Sequence, residues 1–189
     1  MRRGSKKDIS LVVSIISASF KDNKSTNFVT GNNTSKLPAL VRYSFYKALL
    51  NDGVFINDDD TAACLVLDPN EKKISIRYLY YTLVLTLNVI GLQRIKEVLK
   101  REKLISKHQP KHNFLHLWYI GVIPTSAGAG KGTQLLQEIL KFYSSSNKMM
   151  YLETSTIRNL PFYKKNGFDL VKKIENELPY ILYIFKNSL

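Results

Sequence analysis

A single cysteine, Cys64, stands among 189 residues, so no disulfide forms within the chain and a stapled, core-poor fold is excluded. Inside the apolar run 62–67 that thiol reads as a buried structural group rather than a nucleophile, and it suits a reducing compartment. Acidic side chains are scarce, 15 against 28 basic ones, for a net charge of +13. Their longest run is Asp58-Asp59-Asp60; adjacent residues at a turn read as solvated, and no metal site is expected. Zinc-finger, homeodomain and RNA-recognition patterns are missing. The positive field is therefore read first as one that steers anionic ligands, with a non-catalytic, basic nucleic-acid-binding protein as the alternative. No uncharged run spans a bilayer: residues 78–92 fall short of the roughly 20 required and are expected as a buried helix. The basic head 1–7 before the apolar stretch 9–20 mimics a secretory signal, but Asp8, Ser14, Ser17 and Ser19 interrupt it. A soluble, cytoplasmic protein with no membrane partner is expected.

Hydrophobic residues at 44% and charged ones at 23% are the balance of a globular domain, and the length suits one domain better than two. Ser5 and Asp8 are placed to cap a helix carrying Val12, Val13, Ile16 and Phe20, preceded by at most a short edge strand over residues 1–4. Residues 21–36, rich in Asn, Ser, Thr and Lys, read as a loop. A helix opens at Leu37-Pro38 and stops at Asn51-Asp52-Gly53, and a hairpin joins 53–57 to 61–67. Residues 74–92 and 92–105 read as two helices broken near Gly91, the second amphipathic, and a basic loop follows to residue 111. Later come strands at 117–122 and 149–155, a short helix at 159–166, and a closing antiparallel pair over 168–174 and 179–185. The alternation describes a mixed α/β (α+β) domain with a central sheet.

Glycine is also scarce, nine in all, yet Gly128, Gly130 and Gly132 crowd one short loop. The apolar run 117–122 before the loop suits a buried strand. Leu135, Leu136, Ile139, Leu140 and Tyr143 after it mark one face of a helix. Glycines let backbone approach a ligand, and the free amides and dipole of the helix N-terminus favour phosphate. A P-loop phosphotransferase using the 125–133 loop is one reading. Thr125, however, holds the place of the first glycine in that motif, and only residues 133–189 remain downstream.

A second pattern fits better. Val122-x-Pro124, Ala127-x-x-Gly130-x-Gly132 and Leu135-Leu136, followed by Leu152-Glu153-Thr154, Asn159 and Phe162-Tyr163-x3-Gly167-Phe168, resemble the two motif blocks of the GNAT family of acyl-CoA N-acyltransferases. The resemblance implies a single GNAT-like domain over residues 1–189, with 73–111 as a helical insertion and basic loop. It implies acetyl-CoA as co-substrate and transfer of the acetyl group by direct attack of a primary amine, on a small molecule or a peptide. The pyrophosphate would lie on Ala127, Gly128, Ala129, Gly130, Lys131, Gly132 and Thr133. The pantetheine arm would run along Ile120 and Val122 and meet Asn159, with the Val122 N–H supporting the thioester carbonyl. Tyr163 falls where the family protonates the departing sulfur. The base is His116, Glu153 or water; His116 is expected to share a strand face with Trp118, Ile120 and Val122. Ala127 and Ala129 depart from the polar residues usual in the family's loop, leaving Lys131 as its one cation.

Overall fold

The computed structural model describes residues 1–71 and 73–188. Seven strands, β1 (Arg2–Arg3), β2 (Val54–Ile56), β3 (Ala62–Leu67), β4 (Phe114–Val122), β5 (Met149–Thr154), β6 (Asp169–Ile174) and β7 (Leu182–Ser188), form one mixed sheet in the order β1-β2-β3-β4-β5-β7-β6. Neighbours run antiparallel except β4 and β5, which are parallel. The apolar sequence of β3 is buried along its whole length, as a central strand covered on both faces requires. On one face lie α1 (Ile9–Phe20) and α3 (Leu37–Leu50), which pack Val12, Ile16, Val41 and Phe45 against Ile56, Ala63 and Leu65. On the other lies α6 (Lys131–Tyr143), whose fully buried Leu135, Leu136 and Ile139 meet Cys64, Val66 and Leu117. Each such side chain contributes about 1.5–3 kcal/mol. Burial pushes the Cys64 thiol up, in keeping with a structural role.

Two irregularities shape the space above the sheet. The β4–β5 ladder covers only Phe114↔Met149 to His116↔Tyr151, so the strands part beyond His116. In the β3–β4 register Leu65 faces Tyr119 while Val66 faces Leu117, which leaves Trp118 as an extra, bulged residue. The bulge reverses the alternation of faces. Leu115, Leu117, Ile120 and Val122 look towards α6, whereas Trp118 and Tyr119 look towards α1 and α3. His116 therefore keeps company with Trp118, their rings 6.3 Å apart, but not with Ile120 and Val122, contrary to simple strand periodicity. Ladder bonds in an antiparallel pair alternate. Since Ile123 N–H donates to Thr61 C=O, the amides of Ile120 and Val122 point away from β3 into the opening between β4 and β5.

The polar stretch 21–36 is not a plain loop. It contains α2 (Lys24–Thr30), whose first amides at Ser25 and Thr26 are capped by Asn23 Oδ1 at 2.9 and 3.1 Å, and whose end is closed by Gly31 at φ 68°. Capping at both ends and the packing of Phe28 against Tyr180 outweigh poor helix propensity. Further on, α4 (Ile76–Val84) passes directly into a six-residue π-helix, Leu85–Ile90, and after Gly91 comes α5 (Ile95–Ser106). The segment 78–92 is buried on one face only. Tyr78 and Tyr81 stack on Tyr43 and Tyr46 of α3, and Leu85 and Val89 are buried, whereas Leu79, Tyr80 and Leu83 remain 54–60% exposed. Its apolar residues surround the helix, and α3 covers one side. Among the described residues no helix is long and apolar enough to cross a membrane. The aspartate run is paired rather than merely solvated: Asp59 binds Lys131 and Asp60 binds Arg2.

Candidate active site

A groove of about 970 Å³ runs from the glycine loop along the parted edge of β4. At one end the chain turns through Pro124–Ser126 and passes Gly128 and Gly130 at φ 83° and 76°, a left-handed conformation in which glycine is unstrained. A Cβ at either position would meet open space, so side chains are missing on the groove side. Gly130 is the N-cap of α6 and offers no side chain to its first-turn amides. Two loop amides are already used: Ala127 N–H donates to Pro124 C=O and Ala129 N–H to Ser126 C=O. Gly128 and the first residues of α6, Lys131, Gly132 and Thr133, supply the donors that a phosphate would take. Ile120, Val122, Ala127, Gly128, Gly130, Lys131, Gly132, Thr133 and Asn159 all border the groove, and Ala129 does not. The Lys131 ammonium is tied to Asp59, whose carboxyl it pulls down to about 2. A second cation on the groove, Arg158, carried no motif to mark it.

The floor of the groove is set by α1. Ser19 Oγ donates to Val122 C=O at 2.5 Å, and a Cβ on Gly121 would sit 2.9 Å from Ser19 Oγ. Only glycine lets α1 lie this close to β4. On the far wall, α7 (Leu160–Lys165) places Tyr163 against Phe162, Phe168 and Phe185. The Tyr163 side chain is buried yet borders the groove, and burial raises its phenol, so the hydroxyl keeps its proton. Because Gly132 lies 3.3 Å (from a notional Cβ) from Val122 Cγ2, Gly132→Asp forces a side chain and a negative charge between α6 and β4. Gly130→Asp adds the charge where there is room, at the cost of holding an L residue at φ 76°. Both variants are expected to weaken CoA binding by more than about 10-fold, with Gly130→Asp staying folded and losing only about 1–2 kcal/mol to its left-handed backbone; calorimetry and thermal melts check this.

A second cavity, of about 760 Å³, opens on the other side of the β4 bulge and shares Phe20 and Asn23 with the groove. In it the structure brings together two residues that sequence presented as competitors. His116 Nε2 lies 2.7 Å from Glu153 Oε2, both side chains largely buried, and Gln109 Nε2 donates to the other Glu153 oxygen at 2.6 Å. Burial raises the Glu153 carboxyl, but His116, Arg101 and Gln109 together outweigh it and hold the group below the usual carboxylate range. An ionised carboxylate only accepts, so Nε2 of His116 carries the hydrogen towards Glu153, and Nδ1 is the ring nitrogen left to accept a proton. Arg101, from α5, donates to Tyr180 Oη at 2.8 Å and is bonded to Ser25 and Glu102. Neither Arg101 nor Gln109 belongs to a recognisable motif; both come from the stretch 73–111, which thus contributes to this cavity.

A sheet parted between two parallel strands, with a glycine-turned helix N-terminus at the mouth of the opening, is the architecture of acyl-CoA-dependent N-acetyltransferases. Solved structures of that class share the fold. Arylalkylamine N-acetyltransferase 2 from Aedes aegypti matches with a TM-score of 0.67 at 15% identity, over 99% of this chain and 97% of that one. The histone acetyltransferase HPA2 and related acetyltransferase from Corynebacterium glutamicum ATCC 13032 matches at 0.64 and 15%, over 100% and 95%. The PaiA N-acetyltransferase from Thermoplasma acidophilum, in complex with coenzyme A, matches at 0.58 and 13%, over 100% and 97%. The model of the Acetyltransferase (GNAT) family matches residues 54–168, more than half of the chain. The chain belongs to the GNAT family of acetyltransferases and is an enzyme that transfers acyl groups from acyl-CoA to nitrogen.

Proposed function

We propose that the chain moves the acetyl group of acetyl-CoA to a primary amine, on a small molecule or a peptide, by direct attack. The observation that carries this reading is the continuity of the groove. It leads from the helix N-terminus of α6, past the unpaired amides of Ile120 and Val122, to Tyr163 on one side and the His116–Glu153 cavity on the other. The pyrophosphate lies on the amides of Gly128 and 131–133, with Lys131 and Arg158 beside it. The pantetheine arm lies along β4 as an added strand, with Asn159 in reach, and the Val122 N–H supports the thioester oxygen as it gains charge. The amine nitrogen attacks the carbonyl carbon and gives its proton to His116 Nδ1, directly or through a water. Glu153, buried and fully hydrogen-bonded, orients the ring and stabilises the imidazolium. As the C–S bond breaks, Tyr163 Oη donates its proton to the sulfur, and CoA and the amide leave. No group of three or more potential metal ligands occurs among the described residues, and none of these steps uses a metal.

Ligand stabilisation separates this reading from the alternatives. Acetyl-CoA at 100 times its Kd is expected to stabilise the chain by about 2.7 kcal/mol, read as a rise in melting temperature, and Mg-ATP is expected to have no effect. Stabilisation by Mg-ATP alone would favour a phosphotransferase on the 125–133 loop. Stabilisation by an oligonucleotide alone would favour a basic nucleic-acid-binding protein.

A further inference from the structure

The cavity around His116 does not end at Trp118. Beyond the indole, and sharing Trp118, Tyr119, Leu99 and the edge residues Lys47, Arg101 and Glu102 with it, lies a side chamber of about 330 Å³. Its walls are α3, the π-helix and α5. The side chains that line the chamber alone, among them Val29, Leu40, Leu85, Ile90, Ile95 and Val98, include no charged one. Its polar groups are committed elsewhere. The hydroxyls of Thr82 and Thr86 donate to the helix's own carbonyls at Tyr78 and Thr82, each at 2.8 Å, and the Tyr43 hydroxyl is paired with that of Tyr78 at 3.4 Å. The charges stand only at the mouth, where Lys47 lies over the Trp118 ring at 5.4 Å and Arg101 is held by Tyr180, Ser25 and Glu102.

Apolar walls left open to water cost stability, and an apolar ligand better covers a cleft lined this way. The wall that creates it is a π-helix, whose wider turn sets Leu85, Thr86 and Ile90 around the chamber; helices of this kind concentrate at functional sites. We propose that the chamber holds the apolar body of the acceptor, so that the substrate is a primary monoamine with an aliphatic or aromatic chain whose nitrogen reaches back past Trp118 to His116. This rests on the acetyltransfer reading and narrows it to a class. A diamine or polyamine would carry its second ammonium past the one carboxylate that lines the chamber, Glu102 at its mouth, to walls whose hydroxyls are already bonded, a heavy cost. An apolar chain loses nothing there and excludes water from the ring face of Trp118.

The test is calorimetric binding of octylamine and of putrescine to the full chain saturated with CoA. Octylamine is expected to bind at least about 10-fold more tightly, the range by which hydrophobic pockets discriminate. Val98→Phe and Leu85→Phe, each filling the chamber, are expected to weaken octylamine by about 10-fold, with CoA-dependent melting used to confirm that each variant is folded. Equal binding of the two amines, or unchanged octylamine affinity in a folded variant, overturns the proposal; the comparison on the unaltered chain decides even where a variant fails to fold. Octylamine that binds in the chamber but accepts no acetyl group sustains the chamber and removes the acetyltransfer reading. Putrescine acetylated while octylamine fails to bind does the reverse.

Discussion

Replacing His116 by glutamine is expected to lower kcat by about 10²–10⁴-fold, the usual effect of losing a general base, and to remove the acidic limb of the pH–rate profile. Glutamine keeps a polar group in the cavity but no titratable nitrogen. The groove proposed for acetyl-CoA lies on the other side of the bulge, so its Kd is expected to hold. Glu153→Gln is expected to lower kcat in the same direction, because an amide no longer selects the tautomer with hydrogen on Nε2 and no longer balances an imidazolium. The two substitutions act on one device, so the double variant is expected to lose little beyond the more damaging single one. Summed losses in the double variant would assign the residues separate roles. The pair also enters stability. Because the Glu153 carboxyl is held below its ordinary value of 4.5, its ionised form contributes stability that is present above that pH and lost as pH falls through the lower folded value. Glu153→Gln removes that term, so its melting temperature is expected to decline less steeply than the parent's below pH 4.5.

The glycine loop and its helix were legible because local chemistry dictates them. Gly128 and Gly130 adopt positive φ, and the apolar face of α6 follows from its spacing. The dyad was half legible. His116 and Glu153 lie on strands that adjacent motifs identify, but their meeting depends on the parallel register His116↔Tyr151, which sets Glu153 two residues further along. Register is a property of the sheet, not of either strand. The bulge at Trp118 left no local signal. The extra residue is accommodated by pairing across β3, and it turns Ile120 and Val122 away from the face of His116. The short helix α2 was hidden by composition: Asn and Ser favour caps and turns, and here Asn23 is a cap, but of a helix whose interior gains its stability from Phe28 and its neighbours. Arg101 falls in the amphipathic helix expected over 92–105 and Gln109 in the basic loop after it, and no motif marks either. Their placement depends on α5 folding back so that Arg101 reaches Tyr180 and Ser25, 79 and 76 residues away in the chain.

Tyr163→Phe is expected to lower kcat and kcat/KM together by about 10²–10⁴-fold while leaving acetyl-CoA affinity and stability close to those of the parent. The ring stays: its contacts with Phe162, Phe168 and Phe185 are carbon contacts, and phenylalanine preserves them. What leaves is one oxygen, whose proton burial makes hard to remove. A phenol raised in this way is a poor base and a donor held in readiness. Towards the intact thioester it has little to offer, because sulfur in that group is a weak acceptor. As the C–S bond lengthens, charge collects on sulfur in a site walled by apolar rings, where a positioned donor is worth far more than in water. In the proposed mechanism the hydroxyl therefore acts on the transition state and not on the bound ground state. Rates measured against the leaving group separate this from a packing effect. A CoA analogue whose thiol is more acidic needs less protonation, so the deficit of Tyr163→Phe is expected to shrink with it, whereas a misplaced pantetheine arm would impose the same loss on both donors. Full activity with retained stability would place Tyr163 in the core alone and leave the sulfur to take its proton from water.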